Sequence, residues 1–200
     1  MQLETKVGPA NLSSGAPSQL RSDTGGGLLA QVYGGKYAEA ARAGRLFCVA
    51  NAAPVTTSKD NDVTWTGLGI ANPTGSGKNI ILHEFGWAHQ IAGDDDGLVG
   101  LATTTDSGFL ATLTARSCYY GTGTSIAECV ATATIVAPIL ERVCGTHGMD
   151  AVTVQMAVGP NIVDLAGSMI IVPGRSVVTW TSEITTSVLM FSFLWEEVDA

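Results

Sequence analysis

The sequence predicts an all-β protein, an antiparallel β-sandwich of jelly-roll-like type with an extended N-terminal arm. Three observations predict this fold. Apolar and polar residues alternate along several short segments, turn-forming Gly, Pro and Asn residues separate those segments, and helix-forming stretches are scarce. Of the 200 residues, 46% are hydrophobic, 14% are charged and 24 are glycine. This composition is too apolar for a disordered chain and too poor in charge for a bundle of amphipathic helices.

Residues 1–27 form the predicted arm, and residues 28–200 form the predicted sandwich domain. The arm is rich in Gly, Ser, Pro and Asn, ends in three consecutive glycines and has no apolar period. Such a segment is either a disordered tail or an arm that lies over an adjacent subunit, and both interpretations stay open. Residues 37–45 are the only stretch of good helix formers, and they predict a short helix.

Period-two alternation predicts half-buried strands along the rest of the chain. It is clearest in three sets of residues, each on one face of a strand: Phe109, Ala111, Leu113 and Ala115; Val152, Val154, Met156 and Val158; and Leu189, Phe191, Phe193 and Trp195. Further strands are predicted at 45–52, 63–71, 79–89, 98–104, 130–144 (broken near Pro138) and 176–186. The apolar parity of the strand at 63–71 changes at Gly67, which predicts a β-bulge.

Charge and cysteine content exclude several classes of protein. The formal net charge is −8, and the 10 basic residues form no cluster of the kind that binds nucleic acid. No signal peptide and no transmembrane helix are expected, because no apolar segment has the required setting or length. The cysteines include no C-x-x-C pair, so reduced and mostly buried thiols are expected rather than a zinc site or disulfides. They are Cys48, Cys118, Cys129 and Cys144, the last of them near His147.

Two motifs match nucleotide- or metal-binding patterns only in part. Gly75-Ser76-Gly77-Lys78 is not a phosphate-binding loop, because Asn occupies position 72, where that loop needs Gly, and position 79, where it needs Ser or Thr. The segment 72–78 is therefore predicted to be a hairpin loop. His83 and His89 lack the spacing of a zinc-protease helix. In a strand they share a face with residues 85 and 87, with imidazoles about 20 Å apart at about 3.3 Å per residue.

The acidic residues give no catalytic or metal site either. Asp94, Asp95 and Asp96 lack the ligand spacing of an EF-hand, so a solvated turn is predicted, and calcium binding stays an alternative. Glu196 and Glu197 are adjacent and face opposite sides of a strand, whereas catalytic carboxylates converge on one bond. No catalytic, cofactor-binding or metal-binding residue is predicted, and the chain is expected not to be an enzyme.

Two parts of the chain resemble uncharacterised structural proteins of tailed phages. The segment Ala71-Asn-Pro-Thr-Gly-Ser-Gly-Lys-Asn-Ile-Ile-Leu82 is similar to a hairpin-plus-strand motif of those proteins. Their C-terminal half similarly carries a strand, then Pro-Gly, then a final strand with a Trp-Glu-Glu tail, and the corresponding residues here are 169–174 and 191–198. The resemblance covers residues 30–198.

This resemblance implies a jelly-roll-like virion protein, often trimeric, that attaches to the major capsid shell. The expected function is that of a capsid cement or decoration subunit, a homotrimer on the capsid exterior that is assembled in the host cytoplasm. Its expected partner is the major capsid protein, with no nucleic acid, membrane or cofactor. The alternative is a receptor- or glycan-binding module of a phage tail or head fibre, in which exposed aromatic residues such as Tyr119, Tyr120 or Trp87 stack on sugars.

Overall fold

A computed structural model of the protein describes residues 35–57, 64–91, 97–104, 109, 111–120, 123–135, 138–147, 161–182 and 188–200. The helix and strands in these residues are α1 Ala38–Arg42, β1 Leu46–Ala50, β2 Thr64–Asn72, β3 Lys78–Ile91, β4 Gly97–Thr104, β5 Arg116–Ser117, β6 Glu128–Thr134, β7 Ile139–His147, β8 Asn161–Ile171, β9 Arg175–Thr181 and β10 Val188–Asp199. The chain divides into two units, Met1–Ala38 and Glu39–Ala200. The predicted arm at 1–27, the predicted strand at 152–158 and the Asp94–Asp96 turn lie outside the described residues.

The strands form two antiparallel five-stranded sheets. Sheet 1 has the order β5-β1-β10-β3-β8, and sheet 2 has the order β6-β2-β9-β4-β7. The prediction of an all-β, antiparallel sandwich is confirmed. The predicted short helix is also confirmed as α1, which ends where Gly44 takes a positive φ of 69° and the Arg45 amide donates to the Ala40 carbonyl.

The pairing of the strands is nested, and this nesting gives the sandwich its jelly-roll connectivity. β1 pairs with β10, β2 with β9, β3 with β8 and β4 with β7, so that the first half of the chain pairs with the second half in reverse order. The eight strands are thus one long hairpin rolled into two sheets. The segment between β4 and β7 adds β5 beside β1 and β6 beside β2.

The main hydrophobic core lies between the two sheets. Sheet 1 contributes most of its aromatic side chains, and the alternation predicted for 189–195 is confirmed, since these four side chains are at most 1% exposed. The largest members of this core are Phe47, Phe85, Trp87, Phe191, Phe193, Trp195, Leu68 and Leu101. The burial of such side chains is the main favourable contribution to folding.

The outer faces of the two sheets differ. In sheet 2, Ala71, Ala102 and Val178 alternate with residues of the main core and therefore lie on the outer face, where Phe109 and Ile135 pack against them. In sheet 1, the outward side chains of the described residues are half-buried or exposed, except that of Leu46, which is buried. Most are apolar or small: Cys48, Ala50, Ile81, Ala88, Ile162, Ile170, Met190, Ser192 and Leu194.

The predicted β-bulge at Gly67 is confirmed. The β2–β6 register shifts between Thr66 and Gly69. A Cβ atom at position 67 would overlap Thr179 Oγ1 and lie 2.6 Å from Trp65 Cζ2, so that only glycine fits. The bulge is held by Asn51, whose Nδ2 donates to the Gly67 carbonyl at 2.7 Å, and by the Leu68 amide, which donates to Thr179 Oγ1 at 3.0 Å.

The prediction of a hairpin loop at 72–78 is wrong. β2 belongs to sheet 2 and β3 to sheet 1, so this turn carries the chain from one sheet to the other, as the Pro173-Gly174 turn does between β8 and β9. Asn72, which is fully buried, joins the two turns: its Nδ2 donates to the carbonyls of Lys78 at 2.7 Å and Ile171 at 2.8 Å. A buried amide that satisfies both turns explains why the chain changes sheets here instead of folding back on itself.

The remaining strand predictions hold in part. The predicted strand at 109–115 is wrong: among its described residues only Leu113 makes a bridge, to Cys129, because alanines at alternate positions bury little apolar area. The strand at 130–144 is divided near Pro138 into β6 and β7, and the one at 176–186 corresponds to β9. The first half of β8 was not predicted.

Candidate functional site

Lys78 of the Gly-rich turn forms an ion pair. It begins β3, opposite Asp199 of β10, and its Nζ lies 2.5 Å from Asp199 Oδ1. This ammonium group lowers the pKa of the Asp199 carboxyl. The turn before it contains Gly75 and Gly77 with positive φ values of 78° and 68° and leads into a strand. A phosphate-binding loop would instead lead into a helix N-terminus, so the geometry is that of a corner turn.

The two histidines of β3 lie in different environments. The β10–β3 register shifts between Leu194 and Trp195, where β3 has one extra residue, and this bulge places His83 beside Glu196, with 3.5 Å between Nε2 and Oε2. The prediction that His83 shares a face with residues 85, 87 and 89 is therefore wrong, because the extra residue changes the parity. His89 instead lies edge-on to the buried Trp87 ring, 5.7 Å away.

The adjacent glutamates point to opposite sides of β10, as predicted. Glu196 is on the outer face of sheet 1, where the Arg45 guanidinium lies 3.0 Å from its Oε1. Glu197 is 5% exposed and accepts hydrogen bonds from the Ser125 hydroxyl, from the Ile126 amide at 3.1 Å and from Trp195 Nε1 at 3.3 Å. A carboxylate with this many donors serves to anchor the 123–127 segment to β10.

The four cysteines are free thiols, one fully buried and three half-buried. Burial, with Cys48 alongside, raises the pKa of the Cys118 thiol to about 12. Burial, with Glu197 nearby, raises the pKa of the Cys129 thiol to about 12, and burial raises that of Cys144 as well. The thiolate is the reactive form of cysteine, so these three sulfurs are poor nucleophiles and poor metal ligands at neutral pH.

The potential metal ligands of the described ranges are scattered. There, no three His, Cys, Asp or Glu side chains come together closely enough to hold a metal ion. The His147 side chain lies outside the described part of the chain. Within the same ranges, no helix has the length and apolar character needed to cross a bilayer.

A groove of about 570 Å³ lies at one edge of the sandwich. We call it the β7/β8 groove, because it opens between the edge strand of sheet 2 and the edge strand of sheet 1. It is lined by Ile139, Glu141, Arg142, Met169, Ile170 and Arg175, among others. Ile139 is 66% exposed and Ile170 is 57% exposed, so the rim of the groove has two aliphatic side chains open to solvent beside the charged Glu141, Arg142 and Arg175.

The opposite edge of sheet 1 carries aromatic side chains. β5 is the edge strand there, and the residues after it include Tyr119, which is 51% exposed, and Tyr120, which is 88% exposed. We call these two residues the tyrosine turn. Trp87, the third aromatic residue proposed for sugar stacking, is only 4% exposed and lies in the main core, so that part of the prediction is wrong.

One row of residues crosses the outer face of sheet 1 from edge to edge. Successive strand pairings place Arg116, Cys48, Leu194, Glu84 and Asp164 side by side, one on each of the five strands. We call this the charged row. It begins with a cation at the β5 edge, has two apolar residues in the middle and ends with two carboxylates at the β8 edge, so the two edges have opposite charge.

Sequence reasoning missed both edges because each depends on strand order. The first half of β8 escaped prediction because the alternation is interrupted by Ala166 and Gly167, which both have positive φ, 49° and 71°. The signal that was present is the apolar run 169–172: an outward Ile170 between the inward-facing Met169 and Ile171 makes the strand apolar on both faces. Such a strand is typical of a sheet that is covered on both sides.

Together, the fold and these surfaces define an all-β sandwich with jelly-roll connectivity, a cation and aromatic residues at one edge and carboxylates and a groove with two exposed isoleucines at the other. No protein-family model, curated protein or solved structure matches the chain.

Proposed function

We propose that the chain is a non-enzymatic structural subunit of a phage virion, a cement or decoration protein that binds the major capsid shell from outside. The proposal starts from the resemblance of residues 71–82, 169–174 and 191–198 to structural proteins of tailed phages. The observation that carries it is the outer face of sheet 1, where most outward positions are apolar or small.

An apolar sheet face that the described residues leave uncovered supports an assembly role. Sheet 2 has cores on both faces, whereas the outer face of sheet 1 has none from the described residues. Soluble monomers seldom expose contiguous apolar surface of more than a few hundred Å², and larger patches mark contact sites. The buried side chains of Asn72 and Glu197 make structural hydrogen bonds, and the raised thiol pKa values do not favour nucleophilic chemistry.

The test is whether the chain belongs to particles. Mass spectrometry of density-purified particles from the source phage should detect the chain in a fixed ratio to the major capsid protein. Capsid shells stripped of it should bind the added recombinant chain saturably in a co-sedimentation assay. A variant that lacks residues 1–27 should bind more weakly if the arm lies over a capsid subunit, and the matched control is the charge reversal Glu39→Arg on α1. Absence from particles, together with no binding to shells, would contradict the proposal.

A second candidate function is glycan binding at the tyrosine turn. The observation that favours it is the 88% exposure of Tyr120 beside the 51% exposure of Tyr119, because exposed aromatic rings bury apolar area and present a polar tip. Under this alternative, a glycan array should give hits with the full chain that disappear in the Tyr119→Ala/Tyr120→Ala variant. Hits that persist in that variant, or no hits, would exclude the turn as a sugar site.

A further inference from the structure

We propose that the two edges of sheet 1 bind each other in neighbouring copies of this chain, so that three copies close into a ring whose axis runs parallel to the strands. The inference deepens the proposed function by naming the surface of its trimer. Self-association can be measured without any capsid, so the failure of either idea can be told from the failure of the other.

The first argument is the charge of the edges. In the charged row, Arg116 is exposed at the β5 edge, and Asp164 is exposed at the β8 edge with Glu84 next to it. A rotation about an axis parallel to the strands keeps each residue at its own level along the strand. It therefore brings Arg116 of one copy to the level of Asp164 and Glu84 of the next copy. Complementary charges of this kind fix the register of an interface and repel wrong alignments.

The second argument is that the tyrosine turn of one copy and the β7/β8 groove of the next lie at the same height along the strands. Beyond Arg116, the β5 segment continues past Cys118, whose amide donates to the Leu46 carbonyl, to the tyrosine turn. Leu46 pairs with Glu196, Glu196 with Ile81 and Ile81 with Ile170, so the turn begins next to the level of Ile170. The same rotation thus sets the tyrosines against the β7/β8 groove. A tyrosine suits this groove, because its ring can pack on the exposed isoleucines and its hydroxyl can reach the polar lining.

The third argument concerns the kind of contact. Long open edge strands normally pair with strands of other molecules. Neither edge of sheet 1 offers a long regular strand: β8 bulges at Ala166 and Gly167, where its register with β3 shifts, and β5 is only 2 residues long. Bulges of this kind block continuous strand addition. The neighbour must therefore bind through side chains, as a tyrosine in a groove does.

The ring also covers the apolar outer face of sheet 1 if that face points towards the axis. A sheet five strands wide measures about 24 Å at about 4.8 Å per strand. Three such sheets arranged as a triangle lie about 7 Å from the axis, which outward side chains of this size can fill when packed sheets are about 10 Å apart. Four sheets would leave a hollow centre, and two facing sheets would leave the side-opening groove uncovered.

Light scattering after gel filtration tests the ring on the full-length chain. The wild type should have three times the 20.6 kDa mass of one chain. Arg116→Asp and Asp164→Arg should each raise the dissociation constant about tenfold or more and shift the mass towards one chain, because each places like charges together. The double variant Arg116→Asp/Asp164→Arg should return to the trimer, since the exchanged pair again has opposite charge.

The controls separate the surface from general effects of the substitutions. Glu39→Arg and Arg42→Asp reverse exposed charges on α1 and should leave the trimer intact. Circular dichroism confirms folding of every variant. Asp164→Arg also removes the hydrogen bond that the Ala166 amide donates to Asp164. The double variant lacks this hydrogen bond too, so its return to the trimer would show that the charge, and not the lost bond, caused the defect. Tyr119→Ala/Tyr120→Ala should weaken assembly. A monomeric wild type, or a trimer that is indifferent to the single reversals, would overturn the inference. A tyrosine variant that assembles normally but loses glycan binding would overturn it in favour of a sugar site.

Discussion

At the scale of the residue, a few buried polar side chains determine how the two sheets are joined. Asn51 links the end of β1 to the Gly67 bulge, Asn72 links the two corner turns, and Glu197 links β10 to the 123–127 segment. Each of them is less than 6% exposed and fully engaged in hydrogen bonds. Because a buried polar group without partners is costly, these side chains favour one connection over the alternatives.

Replacement of Asn72 should destabilise the fold strongly. In Asn72→Ala, the carbonyls of Lys78 and Ile171 lose their donor in a buried place, so the free energy of unfolding should fall by about 2–3 kcal/mol. Urea denaturation measures the change. The matched control is Asn79→Ala at the next asparagine along the chain, where the residue is half-buried and the loss should stay below about 1 kcal/mol. Equal losses in the two variants would contradict this role of Asn72.

The buried thiol of Cys129 should make the protein sensitive to alkaline pH. Its pKa is raised from 9.0 to about 12, so the unfolded chain loses this proton before the folded one does. The contribution of Cys129 to the free energy of unfolding is therefore complete below pH 9 and is lost as the pH rises towards 12. Urea midpoints at pH 8, 9.5 and 10.5 should decline, and Cys129→Ala, although less stable at pH 8, should decline less steeply. Parallel slopes would show that other groups cause the effect.

At the scale of the element, local patterns predicted strands but not their partners. The alternation of residues 189–195 is regular because every second side chain enters the same core, and β10 follows it. The pattern failed where a bulge changes the parity, at His83 and at Ala166. It also gave a strand at 109–115, where alanines imitate the alternation without supplying apolar area. The sheet-crossing turn after Asn72 could not be predicted because a hairpin and a corner use the same turn residues.

The bulge at Gly67 provides an element-scale test of packing. In Gly67→Ala, the new methyl group meets Thr179 Oγ1 and the Trp65 ring at distances far below van der Waals contact. The bulge must then widen, and the free energy of unfolding should fall by about 1–3 kcal/mol. Gly35→Ala is the matched control, because a methyl group at position 35 would meet no atom within 4 Å, and its effect should stay within about 0.5 kcal/mol. A neutral Gly67→Ala would mean that β2 tolerates another bulge geometry.

At the scale of the whole molecule, nested pairing makes almost every stabilising contact distant in sequence. β1 pairs with β10, and even the innermost pair, β4 with β7, encloses a segment of more than thirty residues. The entropy of closing such loops must be overcome before the pairings stabilise the fold. The sequence predicted the strands and the sandwich. It did not contain a readable signal for this order, and both candidate edges depend on it.

Folding should therefore be slow. All-β domains with distant pairings fold in about milliseconds to seconds, and we expect this chain to fall at or beyond the slow end of that range. Stopped-flow dilution from urea, followed by the fluorescence of the buried Trp65, Trp87 and Trp195, measures the rate. A chain cut before β10 should not fold at all, because it loses the strand between β1 and β3. Refolding in microseconds would contradict the nested order.

The pairing of the first and last strands has a practical consequence for engineering. The Glu197 amide donates to the Arg45 carbonyl, so the chain enters and leaves the sandwich at neighbouring points. A domain that the chain enters and leaves at neighbouring points can be inserted into a surface loop of another protein without forcing the ends of that loop apart. The same closeness allows the chain at Arg45 and at Glu197 to be joined by a short linker and new ends to be opened elsewhere, which would convert this sandwich into a carrier for displayed peptides.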